Sequence, residues 1–171
     1  MTISVGIVTV SDRAAKGVYE DRSGPALRTA VGTYGWQVGA EAVVPDEESA
    51  IQQAIRSHIA QGCQLVLTTG GTGLAARDVT PEAVRGIAAR EIPGFGELMR
   101  HESLKVTPHA ILSRGLGAVV DRTLVVCLPG SPRAAVECLG FVAGAIPHGV
   151  ELLSYEPAEF PDRHRQGERG E

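Results

Sequence analysis

Hydrophobic positions fall into short dense runs and one-sided stripes that alternate along the chain. Ile3–Val10 (ISVGIVTV) is apolar at nearly every position, which predicts a strand buried on both faces. The period changes from Ser23 and Pro25 onward, where Leu27, Ala30, Val31 and Tyr34 recur at helical spacing and Gly35 stops the helix. Gln37–Val44 predicts a second strand. Pro45-Asp46-Glu47-Glu48 then turns into a helix with Ile51, Ala54, Ile55 and Ile59 on one face and Asp46 at the N-cap position. His58 lies beside that stripe with no ligand partner at i±4 and reads as structural. Gly62 ends the helix, and Leu65, Val66 and Leu67 begin a third strand that Thr68 and Thr69 close.

Further along, Thr80-Pro81-Glu82 reads as a helix start, with Thr80 as N-cap and the helix over Pro81–Arg90. Ile92-Pro93-Gly94 breaks it, and Phe95–Leu104 forms the next helix. After Thr107-Pro108, the short apolar Ala110-Ile111-Leu112 leads to Ser113-Arg114-Gly115. Gly117–Val120 and Thr123–Leu128 predict two strands about a turn at Asp121-Arg122. Ser131 caps a helix over Ala134–Leu153 that Pro147 kinks or splits. The order βαβαβα predicts a three-layer α/β/α domain over residues 1–155. Its central sheet is mainly parallel, with an antiparallel hairpin near the C-terminal half. Residues 156–171 carry Pro, Gly and charge without apolar periodicity and are expected to form a flexible charged tail.

Composition narrows the classes. A chain of 171 residues, 43% hydrophobic and 21% charged, is one soluble domain with room for a real core. The net charge of −4 argues against a general nucleic-acid surface, so a polyanionic ligand needs local Arg, Lys or metal. Cys63, Cys127 and Cys138 form no CxxC pair; an odd count without a signal peptide points to reduced thiols in the cytoplasm. No apolar run approaches transmembrane length, so no membrane contact is expected.

The chemistry concentrates in Gln64–Glu82. A strand runs into Gly70, Gly71, Thr72 and Gly73, a backbone that can take positive φ and bring N–H groups against a phosphate. Asp78 and a helix start follow, a combination suited to an oxyanion and a divalent metal. An ordinary strand-to-helix turn is the plain alternative. Gly71–Ala76 also fits GxGxxA, but Arg77-Asp78-Val79 separate the glycines from the helix, and no Gly-Lys-Ser/Thr makes a P-loop. Ser11 and Asp12 stand at the carboxyl end of the first strand, where open α/β sheets place ligand loops, or form a simple turn. Gly130 and Ser131 repeat the glycine-turn-and-cap arrangement, a second anion site or only a well-capped helix.

Several separated motifs agree. Thr9–Arg13 (TVSDR), Asp21–Pro25 (DRSGP), Val44–Glu47 (VPDE), Thr68–Gly73 (TTGGTG) and Arg77–Ala83 (RDVTPEA) resemble the MoaB/Mog family of molybdenum-cofactor biosynthesis proteins. Pro93–Arg100, Glu102–Arg114 and Leu128–Pro132 complete the set in family order. That family includes the G domain of gephyrin. The resemblance runs from about Ile3 to Leu153.

It implies a molybdopterin adenylyltransferase, which joins AMP from Mg-ATP to the terminal phosphate of molybdopterin and releases pyrophosphate. Asp46 and Asp78 match the family's functional carboxylates, and Ser113 matches a serine of the pterin-binding region. A homotrimer is also implied, with other molybdenum-cofactor biosynthesis proteins as further partners. The nucleophile would be an anionic phosphate oxygen, so the site must neutralise charge and align two phosphates. Asp46 and Asp78 are then the carboxylates for Mg²⁺, the loop of Gly70, Gly71, Thr72 and Gly73 is the phosphate cradle, and Arg77 and Arg114 are electrostatic helpers. A molybdopterin-binding or scaffolding protein without turnover is the main alternative. A nucleotide-binding oxidoreductase is a distant third, because no acidic residue stands at a second strand end about 20 residues on to hold ribose.

Overall fold

The computed structural model describes residues 2–155; the expected tail, residues 156–171, lies outside the described residues. Strand β1 (Ser4–Val10) is buried from Val5 onward. Ser11 follows, and then a single helical turn, α1 (Asp12–Ala15), where the sequence predicts only loop. Helix α2 (Ser23–Thr33), strand β2 (Gln37–Val44), helix α3 (Glu48–Ala60) and strand β3 (Leu65–Thr69) come next. The second half holds α4 (Thr80–Arg85), β4 (Arg90–Ile92), α5 (Pro93–Leu104) and a 3-10 turn over Pro108–Leu112. It closes with β5 (Gly117–Val120), β6 (Thr123–Leu128), α6 (Pro132–Val142) and α7 (Ile146–Ser154).

The six strands form one sheet in the order β2-β1-β3-β6-β5-β4. The first four are parallel, with Ile7 opposite Leu67 and Leu67 opposite Val126. β5 runs antiparallel to both β6 and β4. Helices cover both faces. Ile7, Leu65 and Leu67 pack with Leu27 and Val31 of α2, Leu139 of α6 and Ile146 of α7. On the other face Val8, Val66 and Val125 pack with Ile51 and Ile55 of α3 and Val84 of α4. Double coverage is why β1, β3 and β6 read as unbroken apolar runs, whereas the edge strand β2 alternates in exposure. The three-layer α/β/α reading and the antiparallel hairpin are both realised.

Four local expectations change. α4 ends at Arg85 because the chain turns to lay Arg90–Ile92 beside β5, a strand too short and polar to announce itself. α5 starts at Pro93, so that proline opens a helix instead of separating two. Tyr34 is not on the buried face of α2: it stands at the helix end, 39% exposed, with its ring centroid 4.9 Å from that of Trp36. Pro132–Ser154 is, by length and composition alone, long and apolar enough to cross a membrane. It is split by a 3-10 turn at Ala143–Ala145, and its buried positions, Leu139, Val142, Ile146 and Val150 among them, pack into the core.

Candidate active site

The carboxyl ends of the four parallel strands bring their loops together. After β1, Ser11 accepts from the Ala14 amide (3.2 Å) and donates its own amide to the Val44 carbonyl (2.9 Å), which ties the β1 loop to the end of β2. Asp12 and Asp46 then bond reciprocally. The Asp12 amide donates to Asp46 Oδ2 (2.7 Å), and the Asp46 amide donates to Asp12 Oδ1 (3.1 Å). Arg77, beyond β3, donates to both Asp12 oxygens at 2.9 and 2.8 Å.

These partners divide the two carboxylates by role. The hydrogen bond from Arg77, against a smaller opposing effect of desolvation, holds the Asp12 carboxyl below its ordinary value. Its oxygens are taken up inside the protein, which makes Asp12 a brace. Asp46 goes the other way. Burial pushes its carboxyl up, and the nearby Asp12 and Asp78 add to that, against the lowering effect of the Asp12 amide. Asp46 does not cap α3: the residue at that position is Glu47, without a side-chain cap bond, and the Asp46 carboxylate turns back to the Asp12 amide.

Gly70 and Gly71 take φ of +99° and +65°. A Cβ at Gly70 would lie 2.3 Å from the Val10 carbonyl oxygen, and one at Gly71 would lie 2.3 Å from Thr80 Oγ1 and 3.3 Å from Asp46 Oδ1. Conformation and close packing both require glycine there. Thr80 is not the expected cap. It is buried, donates Oγ1 to the Gly70 carbonyl (2.8 Å), and donates its amide to the Gly71 carbonyl (3.0 Å). Thr69 Oγ1 donates to the Pro129 carbonyl (2.6 Å), joining the loops after β3 and β6. With the carbonyls tied down, the N–H groups of Gly71, Thr72 and Gly73 have no acceptor among the described residues. That is the donor pattern of an anion cradle.

Asp78 accepts from the Ala75 amide (2.8 Å), and a Cβ at Gly73 would lie 2.8 Å from its Oδ2. Arg114 fixes this loop from the other side. Its Nε donates to the Gly73 carbonyl (2.8 Å), and its two terminal nitrogens reach the Asp78 carbonyl and the Glu82 carboxylate. Burial acts to raise the Glu82 carboxyl, but Arg114, the Glu82 backbone amide and Arg85 together bring the net direction down. Arg114 therefore directs its donors to the protein itself. Past β6, Ser131 Oγ accepts from the Ala134 amide (3.2 Å), so the expected cap is present.

Two cavities of about 450 Å³ each open beside this loop. One is the more polar of the two, with Ser11, Asp46, Gly70 and Ser131 in its wall. The other is lined by Thr72, Gly73, Ser113, Met99, Ala110 and Leu112 among others. Gly71, Asp78 and Gly130 belong to both walls. The candidate residues thus sort into a polar side, an apolar side and a shared partition, with Asp12 and Arg114 bracing from behind.

Sequence reasoning missed Asp21 and Ser23. Asp21 accepts from Thr9 Oγ1 (2.8 Å) and from the Ser23 and Gly24 amides (both 3.0 Å), while Ser23 Oγ donates to the Gly130 carbonyl (2.7 Å). The only signal was the DRSGP block itself, because a contact 107 positions apart leaves no local trace. Met99, Ser103 and His109 on the apolar side were likewise hidden within helix and turn.

Among the described residues no group of three or more His, Cys, Asp or Glu is placed to hold a metal. Of the four carboxylates that line the polar cavity, Glu20, Asp21, Asp46 and Asp78, the last two also flank the glycine loop, beside Gly71 and Gly73. That set does not fit a closed all-protein metal cage. It fits magnesium, which commonly takes one or two carboxylates and completes its shell with water and substrate phosphates.

Residues 6–148 match the family described as "Probable molybdopterin binding domain", and the chain belongs to that family. It is 45% identical over 156 residues to the molybdopterin adenylyltransferase of Helicobacter pylori strain J99, covering 89% of this chain and 88% of that protein. It is 41% identical over 172 residues to gephyrin of Dictyostelium discoideum, covering 94% of this chain but 24% of gephyrin. Among solved structures, the molybdopterin biosynthesis enzyme MoaB of Thermus thermophilus superposes with a TM-score of 0.84 at 44% identity, covering 91% of this chain and 99% of that one.

Proposed function

We propose that this protein is a molybdopterin adenylyltransferase of molybdenum-cofactor biosynthesis. One observation carries the reading: a polar and an apolar cavity share the wall formed by Gly71, Asp78 and Gly130. Two substrates with phosphates at their facing ends would meet at that wall. The nucleotide takes the polar side, between Ser11, Asp46, the glycine loop and Ser131. Molybdopterin takes the other side, where Ser113 lies beside Met99 and Ala110.

The chain needs no activated nucleophile, because the attacking group is a phosphate oxygen already anionic near neutral pH. Its own work is alignment and charge. The N–H groups of Gly71, Thr72 and Gly73 hold phosphate oxygens, and the Asp12–Arg77 brace fixes Asp46. Asp46 and Asp78 would hold magnesium, which would supply the positive charge that polyanions need to enter an acidic site.

The proposal extends to assembly and compartment. Leu98, Leu104, Val106 and Ile111 are exposed on α5 and the segment after it, an apolar surface suited to burial between subunits, and the family resemblance implies that the assembly is a homotrimer. Three free, buried cysteines suit a reducing cytoplasm.

The test is mass detection of adenylylated molybdopterin after mixing protein, molybdopterin and Mg-ATP, with pyrophosphate measured in parallel. Product should appear, vanish in EDTA and return with Mg²⁺. Binding of molybdopterin without product or pyrophosphate would instead establish the non-catalytic binding protein.

A further inference from the structure

Charge is unevenly distributed in the polar cavity. Glu20, Asp21, Asp46 and Asp78 line it, and among the described residues Arg22 is the only basic one that does. The acids are not equivalent. Asp21 is engaged by Thr9, Ser23 and Gly24, and Asp46 by the Asp12 amide. The arginines of the neighbourhood differ in the same way. Arg77 is paired with Asp12 and Arg114 with Glu82. Among the described residues neither Arg22 nor Arg13 has a carboxylate within ion-pair distance. Both instead sit over the ring of Tyr19, with Cζ 5.9 and 5.2 Å from its centroid. Tyr19 itself lines the cavity and is half-exposed.

A guanidinium held by a ring rather than a carboxylate keeps its hydrogen-bond donors available. In a cavity whose charged lining is otherwise acidic, that leaves one uncommitted cation for an incoming anion. An Arg fork also matches the oxygens of a phosphate group.

We propose that Arg22, steadied over Tyr19, binds the diphosphate end of the nucleotide and holds pyrophosphate as it leaves. The assignment rests on the adenylyl-transfer reading of the same site. In that reaction a molybdopterin phosphate oxygen bonds to the α-phosphorus. The bond from that phosphorus to the bridging oxygen breaks, and its electron pair leaves on pyrophosphate. Negative charge therefore grows on the group farthest from the molybdopterin cavity. Arg22 lines only the polar cavity and is absent from the wall the two cavities share, so it is placed for the leaving group and not for the transferred phosphate. Arg13 is the second cation of the same stack.

The test is calorimetric binding of pyrophosphate and of AMP, each with Mg²⁺, to the full chain and to Arg22→Gln, Arg22→Lys and Tyr19→Ala. Arg22→Gln should weaken pyrophosphate about tenfold or more, the loss of one charge-assisted contact, while leaving AMP affinity within about twofold. Arg22→Lys should recover part of the loss, because it keeps the charge but not the fork. Tyr19→Ala should weaken pyrophosphate by a few-fold, since the cation remains but is no longer held. A purely structural role would lower both affinities together, and that result overturns the proposal. So does wild-type affinity for pyrophosphate in Arg22→Gln, or failure of the parent chain to bind pyrophosphate. Adenylylation with Arg22-independent pyrophosphate binding sinks the clamp alone. Arg22-dependent binding without adenylylation sinks the transfer reading and leaves the anion site standing.

Discussion

Asp12 and Asp46 exchange amide-to-carboxylate hydrogen bonds, at 2.7 Å in one direction and 3.1 Å in the other, although 34 positions separate them in the chain. The exchange locks the loop after β1 to the loop after β2. It also makes the two carboxylates unlike. Arg77 compensates Asp12, whereas Asp46 stays partly buried with like charges near it. The same residue type thus gives a brace paired with Arg77 and a carboxylate with no ion-pair partner among the described residues, sorted by where Arg77 points.

Asp46→Asn should therefore separate activity from stability. An amide oxygen still accepts from the Asp12 amide, so the loop lock survives. The sign of the linkage follows from the raised carboxyl. Its stabilising contribution is present below the unfolded value and is lost as pH rises through the folded one, so ionised Asp46 weakens the fold at neutral pH. Melting temperature should stay level or rise, while adenylylation falls by about a hundredfold or more, because an amide is a poor ligand for a hard cation. Asp46→Ala should additionally cost about 1–2 kcal/mol, by leaving the Asp12 amide without its acceptor. Thermal melts and initial rates on both variants decide this. Near-normal turnover in Asp46→Asn would remove the residue from the site.

Glycine at position 70 should be far less replaceable than glycine at 17, although both have positive φ (+99° and +68°). A Cβ at Gly17 meets nothing within 4 Å, whereas one at Gly70 meets the Val10 carbonyl oxygen at 2.3 Å. Gly17→Ala should cost about 1 kcal/mol of backbone strain alone. Gly70→Ala should cost about 2–4 kcal/mol and loosen the contact between the β1 and β3 ends. Urea unfolding of the pair measures both, and equal losses would show that the close approach is easily relieved.

The layers of the fold were legible because burial on both sheet faces writes itself as apolar runs, as in Val5–Val10 and Leu65–Leu67. The glycine loop was legible because positive φ and close approach restrict residue type. What stayed hidden depends on distant partners. Thr80 has every local mark of a cap yet donates to Gly70, and Asp46 has the marks of a cap yet serves the Asp12 amide. β4 was invisible because Arg90-Glu91-Ile92 pairs only with β5 at a sheet edge, where polar residues are tolerated. Arg22 and Tyr19 carried no periodic signal, since their meaning comes from the cavity they border.

Arg114→Lys tests whether the loop that carries Asp78 is held by geometry or by charge alone. The guanidinium serves three acceptors, the Gly73 and Asp78 carbonyls and the Glu82 carboxylate, from one planar group. A lysine ammonium keeps the charge near Glu82 but cannot span the other two. The expected loss is about 2 kcal/mol in stability, together with a several-fold rise in KM for molybdopterin as the shared wall loosens. Unchanged KM and stability would show that the loop holds its shape without Arg114.

His58 gives the protein an acid-sensitive packing contact remote from the site. Its imidazole is 3% exposed on α3, Nδ1 has no partner among the described residues, and a Cβ at Gly6 of β1 would lie 2.6 Å from that nitrogen. The ring is therefore wedged, neutral, against the backbone of a central strand. Burial lowers its pKa below the ordinary histidine value, and the Glu41 carboxylate offsets only part of this. The unfolded chain consequently takes up the proton first. Stability contributed by the neutral ring is present above the unfolded value, about 6.5, and is lost as pH falls through the lower folded value. One proton sets the limit, at most about 1.4 kcal/mol per pH unit. Urea unfolding between about pH 7.5 and 5.5, a window that brackets the ordinary histidine value, should show this decline in the parent chain. His58→Leu fills a similar space without a titrating group and should show a shallower slope. The difference between the two slopes belongs to His58, since every other titrating group is common to both proteins. Identical slopes would mean that the imidazole reaches water, or moves off Gly6, before it takes up its proton.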